Sequence, residues 1–242
     1  MSHWPHLQRL AAAYELNLNE AELSQFSLFH RLLIAANERV NLTRIVEADE
    51  AAVKHYLDSL LFLKGLPPEG REGAQRVVDI GAGAGLPGIP LAIVRPDWHI
   101  TLVDAVRKKV DFMNTAIAEL GLSNAVALHG RSETLAAGPP HRDSYDLALA
   151  RAVAGLPELL ELTLPFLRSG GRLVVSKGSK GPEELAGASK ALSRLRGRVL
   201  AAETFDLPAE AGQRHLYVIE KHGATPAGFP RKAGTPHRQP LV

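Results

Sequence analysis

The sequence predicts an α/β protein: a doubly wound sheet of seven strands, mostly parallel with an antiparallel last strand, plus an N-terminal helical cap. Three observations predict it. From residue 74 onward, strand-length apolar runs alternate with helix-length segments, the rhythm of right-handed βαβ units with both sheet faces covered. The first such run, Arg76-Val-Val-Asp-Ile80, passes straight into a glycine loop that opens a helix. The last two strand-like runs are joined by Asp206–Gln213, with no helix between them, so they should pair antiparallel at one edge.

Residues 5–16, 20–37 and 48–63 read as the helices of the cap. Leu7, Leu10, Ala11 and Tyr14 recur at helical spacing, as do Leu23, Phe26, Leu33 and Ile34. Asn19 is placed to cap the second helix, with Glu22 three residues on completing a capping box. The stretch 65–73, rich in Gly and Pro, breaks the chain and separates the cap (1–64) from the main layer (74–221). Parallel strands are predicted near 76–80, 99–104, 124–129, 145–150 and 171–176. Helices are predicted near 87–94, 106–120, 155–168 and 182–196, and the antiparallel pair at 199–205 and 214–221. The remainder, 222–242, has four prolines and no periodicity, so by itself it reads as an irregular basic tail.

Composition narrows the class. The chain of 242 residues is 45% hydrophobic and 22% charged, enough for one globular unit with a substantial core. It has no cysteine, hence no disulfide framework, no Cys-ligated zinc and no thiol nucleophile, and no metal site is expected. No signal peptide or membrane-spanning apolar run is visible, so the expected location is the cytoplasm and no membrane is expected as partner. The net charge of only +2 hides an asymmetry. Residues 168–198 carry eight basic groups against Glu183 and Glu184, and 221–242 carry Lys221, Arg231, Lys232 and Arg238 with no acid. One such run is commonly a solvated face; two in one third of the chain point to a polyanion.

Gly81, Gly83 and Gly85 follow the first strand, and Asp104 closes the second about 20 residues later. Such a loop lets backbone approach a ligand, the helix behind it favours negative charge, and the delayed carboxylate is placed to accept ribose hydroxyls. A nucleoside-containing cofactor follows, and which one stays open. A dinucleotide fingerprint wants its third glycine where Leu86 stands; the shifted match Gly83-Ala-Gly85-Leu-Pro-Gly88 begins two residues late and contains Pro87. An oxidoreductase, a methyltransferase acting on protein or small molecule, and a noncatalytic RNA-binding module remain alternatives. His55, Asp58 and Ser59 do not form a hydrolase triad, since no nucleophile elbow accompanies them; capping or packing is their expected role.

Longer motifs carry a resemblance. The strand–glycine–helix unit, the acid after the second strand and the final antiparallel pair resemble class I, Rossmann-like S-adenosylmethionine-dependent methyltransferases. Asp79-Ile-Gly-Ala-Gly-Ala-Gly-Leu-Pro-Gly-Ile-Pro90, Arg95-Pro96, Arg107-Lys-Lys109, Gly130-Arg131, Arg151-Ala152 and Gly234-Thr-Pro236 resemble the small-subunit ribosomal RNA guanine-N7 methyltransferases, once called glucose-inhibited division protein B. Asn41-Leu-Thr43 and His55-Tyr-Leu-Asp-Ser-Leu60 match it too. The resemblance implies S-adenosyl-L-methionine as cofactor and 16S rRNA or the small ribosomal subunit as partner, with the chain acting as a monomer. It implies methyl transfer to N7 of one guanine in the decoding-region loop.

Residue roles follow from it. Asp104 is expected on the ribose, against the alternative of a helix N-cap. Gly81, Gly83 and Leu86 are expected beside the methionine and sulfonium region, Ala105 and Val106 against the adenine, and Ser132 and Glu133 near its amino group. Arg151, ending the fourth strand, is expected to orient cofactor carboxylate or target, with no general base. Arg131, Lys177, Lys180, Arg231 and Lys232 are expected on RNA phosphates.

Overall fold

The computed structural model describes residues 4–66 and 73–242, so most of the predicted breaker 65–73 lies outside the described residues. The cap begins with α1 (Pro5–Ala12) and α2 (Glu20–Val40). The capping box forms: Asn19 Oδ1 accepts from the Glu22 N–H at 2.9 Å, and Glu22 Oε2 accepts from the Asn19 N–H at 2.8 Å. The third predicted helix is continuous in space but not uniform. It runs from α3 (Ala48–Ala51) through a π-helical stretch (Ala52–Leu57) into α4 (Asp58–Leu60) and a 3₁₀ turn (Leu61–Leu63).

The sheet contains β1 (Arg76–Ile80), β2 (His99–Asp104), β3 (Ala125–His129), β4 (Tyr145–Arg151), β5 (Leu167–Lys177), β6 (Gly197–Asp206) and β7 (Gln213–Lys221). Its order is β3-β2-β1-β4-β5-β7-β6. The first five strands are parallel, and β7 is antiparallel to both neighbours. The last two strands do pair, yet only β6 is the edge. Leu216–Ile219 of β7 are buried on both faces, whereas most of β6 is exposed or half-buried, so the apolar strand goes inside. The connecting helices are α5 (Gly88–Val94), α6 (Arg107–Glu119), α7 (Ser132–Leu135), α8 (Leu156–Thr163), α9 (Gly181–Ala186) and α10 (Ser189–Leu195). Two predicted helices are thus shorter than expected: 155–168 gives way to a 3₁₀ turn and an early β5, and 182–196 is broken near Gly187.

Alternating strand residues feed two cores. Val77, Ile100, Leu102, Leu147, Leu149 and Val218 face α5, α6 and the cap. Val78, Ile80, Val103, Ala148, Ala150 and Ile219 face α8 and α10. The cap is pinned by Tyr56, whose ring meets Trp4 at 5.0 Å and Phe26 at 5.5 Å between centroids. Among the described residues no helix is long and apolar enough to cross a membrane.

The tail is not irregular. It lies on the α8 face, burying Phe229 and Leu241 and ending in α11 (Thr235–Arg238). Arg142 donates to the Phe229 and Thr225 carbonyls at 2.6 and 3.1 Å. Arg231 grips the fully buried Glu161 carboxylate through Nε at 2.9 Å and Nη2 at 2.6 Å, while its N–H bonds the same group at 2.8 Å. Lys221, also fully buried, is held by Asp143, Thr225 and the Leu167 carbonyl. Two of the four lysines and arginines of residues 221–242 are therefore internal struts, a role composition does not disclose.

Removing one partner of a buried ion pair strands the other charge. Arg231→Ala should lower the unfolding free energy in urea by about 3 kcal/mol. A loss of under about 1 kcal/mol would mean that Arg231 does not hold the tail.

Candidate active site

The site is built on the C-terminal rim of the parallel strands, where open α/β sheets bind ligands. The glycine loop turns there with Gly81, Gly83 and Gly85 at φ +69°, +58° and +83°. Most of its donors, however, are spent internally. Gly81 and Ala82 N–H bond the Val103 carbonyl, and Gly85 and Leu86 N–H bond the Ala82 carbonyl. Gly83 N–H reaches Asp104 Oδ2 at 3.0 Å and Gly88 N–H reaches Asp79 Oδ2 at 2.8 Å. The expectation that this loop and helix terminus favour an anion is thereby corrected: most of the N–H groups that would cradle a phosphate are occupied by the protein's own oxygens.

Beside the loop lies a cleft of about 190 Å³, lined by Gly81, Asp104, Ala105, Ser132 and Glu133, all anticipated from sequence, together with Arg131, Val153 and Glu158. Asp104 is nearly buried and its Oδ1 accepts from the Val106 N–H at 2.8 Å; the α6 cap position is Val106, so Asp104 is not the N-cap. Each carboxylate oxygen has accepted one N–H and retains a second lone pair. Burial opposes the ionisation of Glu133, but N–H bonds from Gly234 (2.7 Å) and its own backbone, aided by Arg131, outweigh it and hold the carboxyl below its usual range.

Several anticipated residues are elsewhere. Leu86 packs in the cap-side core, Gly83 sits behind Asp104, and Val106 is exposed; none lines the cleft. Arg151 lines a second, larger cavity of about 550 Å³, with Lys54, His55, Asp58, Ala152, Val153, Ala154, Lys177, Glu184 and Arg214. Val153 lines both cavities. Arg151 Nη1 donates to the carbonyls of Lys54 (3.2 Å) and His55 (3.3 Å) in the π-helical stretch and to Asp58 Oδ2 at 3.1 Å. Arg214 Nε meets the other Asp58 oxygen at 3.2 Å. Arg151 thus clasps the cap as well as lining the rim, and Asp58 is an ion-pair hub beyond the capping or packing role expected of it. Ala152, at φ +54°, bends the chain through the left-handed region and shapes the wall.

Lys177 does not face solvent or phosphate. It is buried against the Ala154 carbonyl and paired with Glu184 at 2.8 Å. Arg231 is likewise withdrawn by Glu161. Arg131, Lys180 and Lys232 are exposed. Neither Glu184 nor Arg214 belongs to a local motif; an arginine opening an antiparallel strand was the available signal.

Asp79 and His55, both buried, also have shifted ionisation. Burial pushes the Asp79 carboxyl up to about 7, against the pull of the Gly88 N–H and Arg151, with the Asp104 charge adding to the rise. Burial, reinforced by Arg151, lowers His55 to about 4, so it is neutral at pH 7; its Nε2 shares a 2.8 Å hydrogen bond with Thr43 Oγ1. Among the described residues no group of His, Cys, Asp or Glu is arranged to hold a metal ion.

A parallel sheet with an inserted antiparallel strand, a tight glycine loop and a carboxylate closing the second strand define a class I S-adenosylmethionine-dependent methyltransferase. Solved structures share the fold: the [4+2]-cyclase SpnF (TM-score 0.56, 16% identity, covering 83% of this chain and 95% of that one) and a SAM-dependent methyltransferase from Methanosarcina mazei (0.52, 15%, 65% and 99%). The family model "rRNA small subunit methyltransferase G" (GidB) matches residues 22–217, and the chain belongs to that family. The ribosomal RNA small subunit methyltransferase G of Deinococcus radiodurans is 45% identical over 217 residues, 90% of this chain and 85% of the relative.

Because the folded Asp79 pKa is raised, its neutral form stabilises the fold at low pH and that contribution is lost as pH rises through the folded value. The stability difference between the wild type and Asp79→Asn, measured by denaturant titration, should therefore move against the wild type from pH ~4 to ~7. A difference independent of pH would place the Asp79 pKa in the ordinary range.

Proposed function

We propose that this chain transfers a methyl group from S-adenosyl-L-methionine to N7 of a guanine in small-subunit (16S) ribosomal RNA, acting on the rRNA or the small subunit, as a monomer in the cytoplasm. The observation that carries it is the pair of cavities meeting at Val153: a small cleft lined by Asp104, Glu133 and Glu158, and a larger one lined by Lys54, Arg151, Lys177 and Arg214. An acid-lined cleft beside a loop with most of its donors already spent suits a cationic nucleoside without phosphate, and opposes a pyrophosphate-bearing dinucleotide.

S-Adenosyl-L-methionine supplies an electrophilic methyl on a sulfonium centre. In this reading Asp104 accepts the ribose hydroxyls with its remaining lone pairs, Ala105 lies against the adenine, and Ser132 and Glu133 meet its amino group. Gly81 floors the methionine end, where a Cβ would come within 2.7 Å of Val153. Guanine N7 already carries a free lone pair, so no residue has to remove a proton. The chain's contribution is orientation: it holds N7 in line with the methyl, excludes water and accommodates a base taken out of its stack. Arg151 shapes the larger cavity by fixing the cap against β4. The exposed Arg131, Lys180 and Lys232 hold RNA backbone. The decisive experiment is transfer of labelled methyl to small-subunit RNA, with the labelled nucleotide mapped by N7-specific strand cleavage; label on protein or on another base position overturns the reading.

Asp104→Ala should weaken binding of S-adenosyl-L-methionine and S-adenosylhomocysteine, measured calorimetrically, by about 1.5–3 kcal/mol, the range for hydrogen bonds to a charged group. Unchanged affinity in the folded variant removes Asp104 from the ribose site.

RNA affinity should fall steeply with salt. Replacing Arg131, Lys180 and Lys232 by Gln together should flatten the slope of log affinity against log salt by about 2. The slope should not change for Arg231→Gln, because Glu161 holds that side chain.

A further inference from the structure

The larger cavity contains an ion pair whose remaining hydrogen-bonding capacity neither folding nor methyl donation uses. Lys177 and Glu184 meet at 2.8 Å on its wall, beside Val153 and Ala154. Glu184 Oε2 is pinned twice, by Lys177 and by the Leu156 N–H at 2.8 Å. Oε1 has no hydrogen bond among the described residues, and the side chain is 26% exposed on the cavity. Lys177 is only 6% exposed; one of its N–H groups serves the Ala154 carbonyl and the ammonium is ion-paired with Glu184, so donor capacity is left over. A buried lysine with an unfilled donor, next to a carboxylate with an unfilled acceptor, is an incomplete hydrogen-bonding edge.

The order of the two groups is selective. Guanine offers a donor, N1–H, next to an acceptor, O6; adenine offers an acceptor, N1, next to an amino donor. An acceptor and a donor fixed side by side match the first and repel the second. Resting on the methyl-transfer reading above, we infer that Glu184 and Lys177 recognise the target base as guanine, Glu184 accepting from N1–H and Lys177 donating to O6. O6 neighbours N7 on the purine, so this pairing turns N7 away from Glu184, inside a cavity that shares Val153 with the smaller cleft. The Lys177 predicted on phosphate thus acts on the base instead.

The test uses small-subunit rRNA assembled by ligation with guanine, inosine or 2,6-diaminopurine at the target position. Inosine keeps N1–H and O6; 2,6-diaminopurine keeps the 2-amino group and N7 but reverses the two reading atoms. For the wild type, kcat/KM should fall less than about tenfold for inosine and at least about 100-fold for 2,6-diaminopurine, as for a site built on hydrogen bonds. Glu184→Gln keeps an acceptor for the Leu156 N–H and should shrink the guanine-to-diaminopurine ratio by tenfold or more. Lys177→Met should shrink it as well. Equilibrium binding of the same RNAs without methyl donor should show the same order, a readout independent of turnover. The inference is overturned if the wild type methylates the diaminopurine RNA as fast as the guanine RNA, or if folded variants keep the wild-type ratio. Those wild-type ratios stand as a test even if a variant fails to fold. Absence of N7 methylation on the guanine RNA would instead overturn the proposed reaction itself.

Discussion

The site depends on one buried carboxylate. Asp58, in the cap, takes Arg151 from the end of β4 on one oxygen and Arg214 from the start of β7 on the other. Three segments far apart in sequence are thereby fixed at one corner of the sheet. A single carboxylate in that environment would be costly to bury; two guanidinium partners offset the desolvation and lock its direction. The π-helical stretch contributes as well, since its Lys54 and His55 carbonyls are turned to Arg151. A wide turn of this kind is uncommon and tends to occur where a helix serves a site. Without this junction the cap would still bury Tyr56, but the larger cavity would have no fixed wall.

Strand direction decides which residues reach that wall. Parallel strands present their C-terminal ends at the rim, so Asp104 and Arg151 arrive there as strand ends. An antiparallel strand presents its beginning, and Arg214 at the start of β7 arrives by that route, opposite the end of β5. The inserted strand thus does more than close the sheet. It brings a cation to a rim that parallel strands supply only with their last residues.

Electrostatics on the two sides of Val153 are opposite in character. The smaller cleft has three carboxylates near one exposed arginine, with most of the loop N–H groups already consumed. The larger cavity carries lysines and arginines, several of them held by Asp58 or Glu184. Such a division suits a cationic methyl donor on one side and a nucleotide on the other. It also explains why net charge is a poor guide here. Lys177, Lys221 and Arg231 are withdrawn from the surface and paired with acids, so part of the basic excess is structural rather than presented to RNA.

The sequence by itself determined whatever is encoded locally. The capping box at Asn19, the strand–glycine–helix unit, the alternation of strands and helices, and Asp104 at the end of β2 all follow from spacing and turn chemistry within a few residues. So does much of the smaller cleft, because Gly81, Asp104, Ala105, Ser132 and Glu133 lie at or just after strand ends. Tertiary structure alone decided the rest. Leu86 looks like part of the glycine motif, yet burial of its side chain turns it into the core. Lys177 and Arg231 look like phosphate ligands, yet Glu184 and Glu161 reach them across the fold. The tail reads as irregular, yet Phe229, Leu241 and Arg231 seat it on α8. Long-range pairing of buried charges leaves no period and no motif in a chain, because its partners are set by which surfaces the hydrophobic layers bring together.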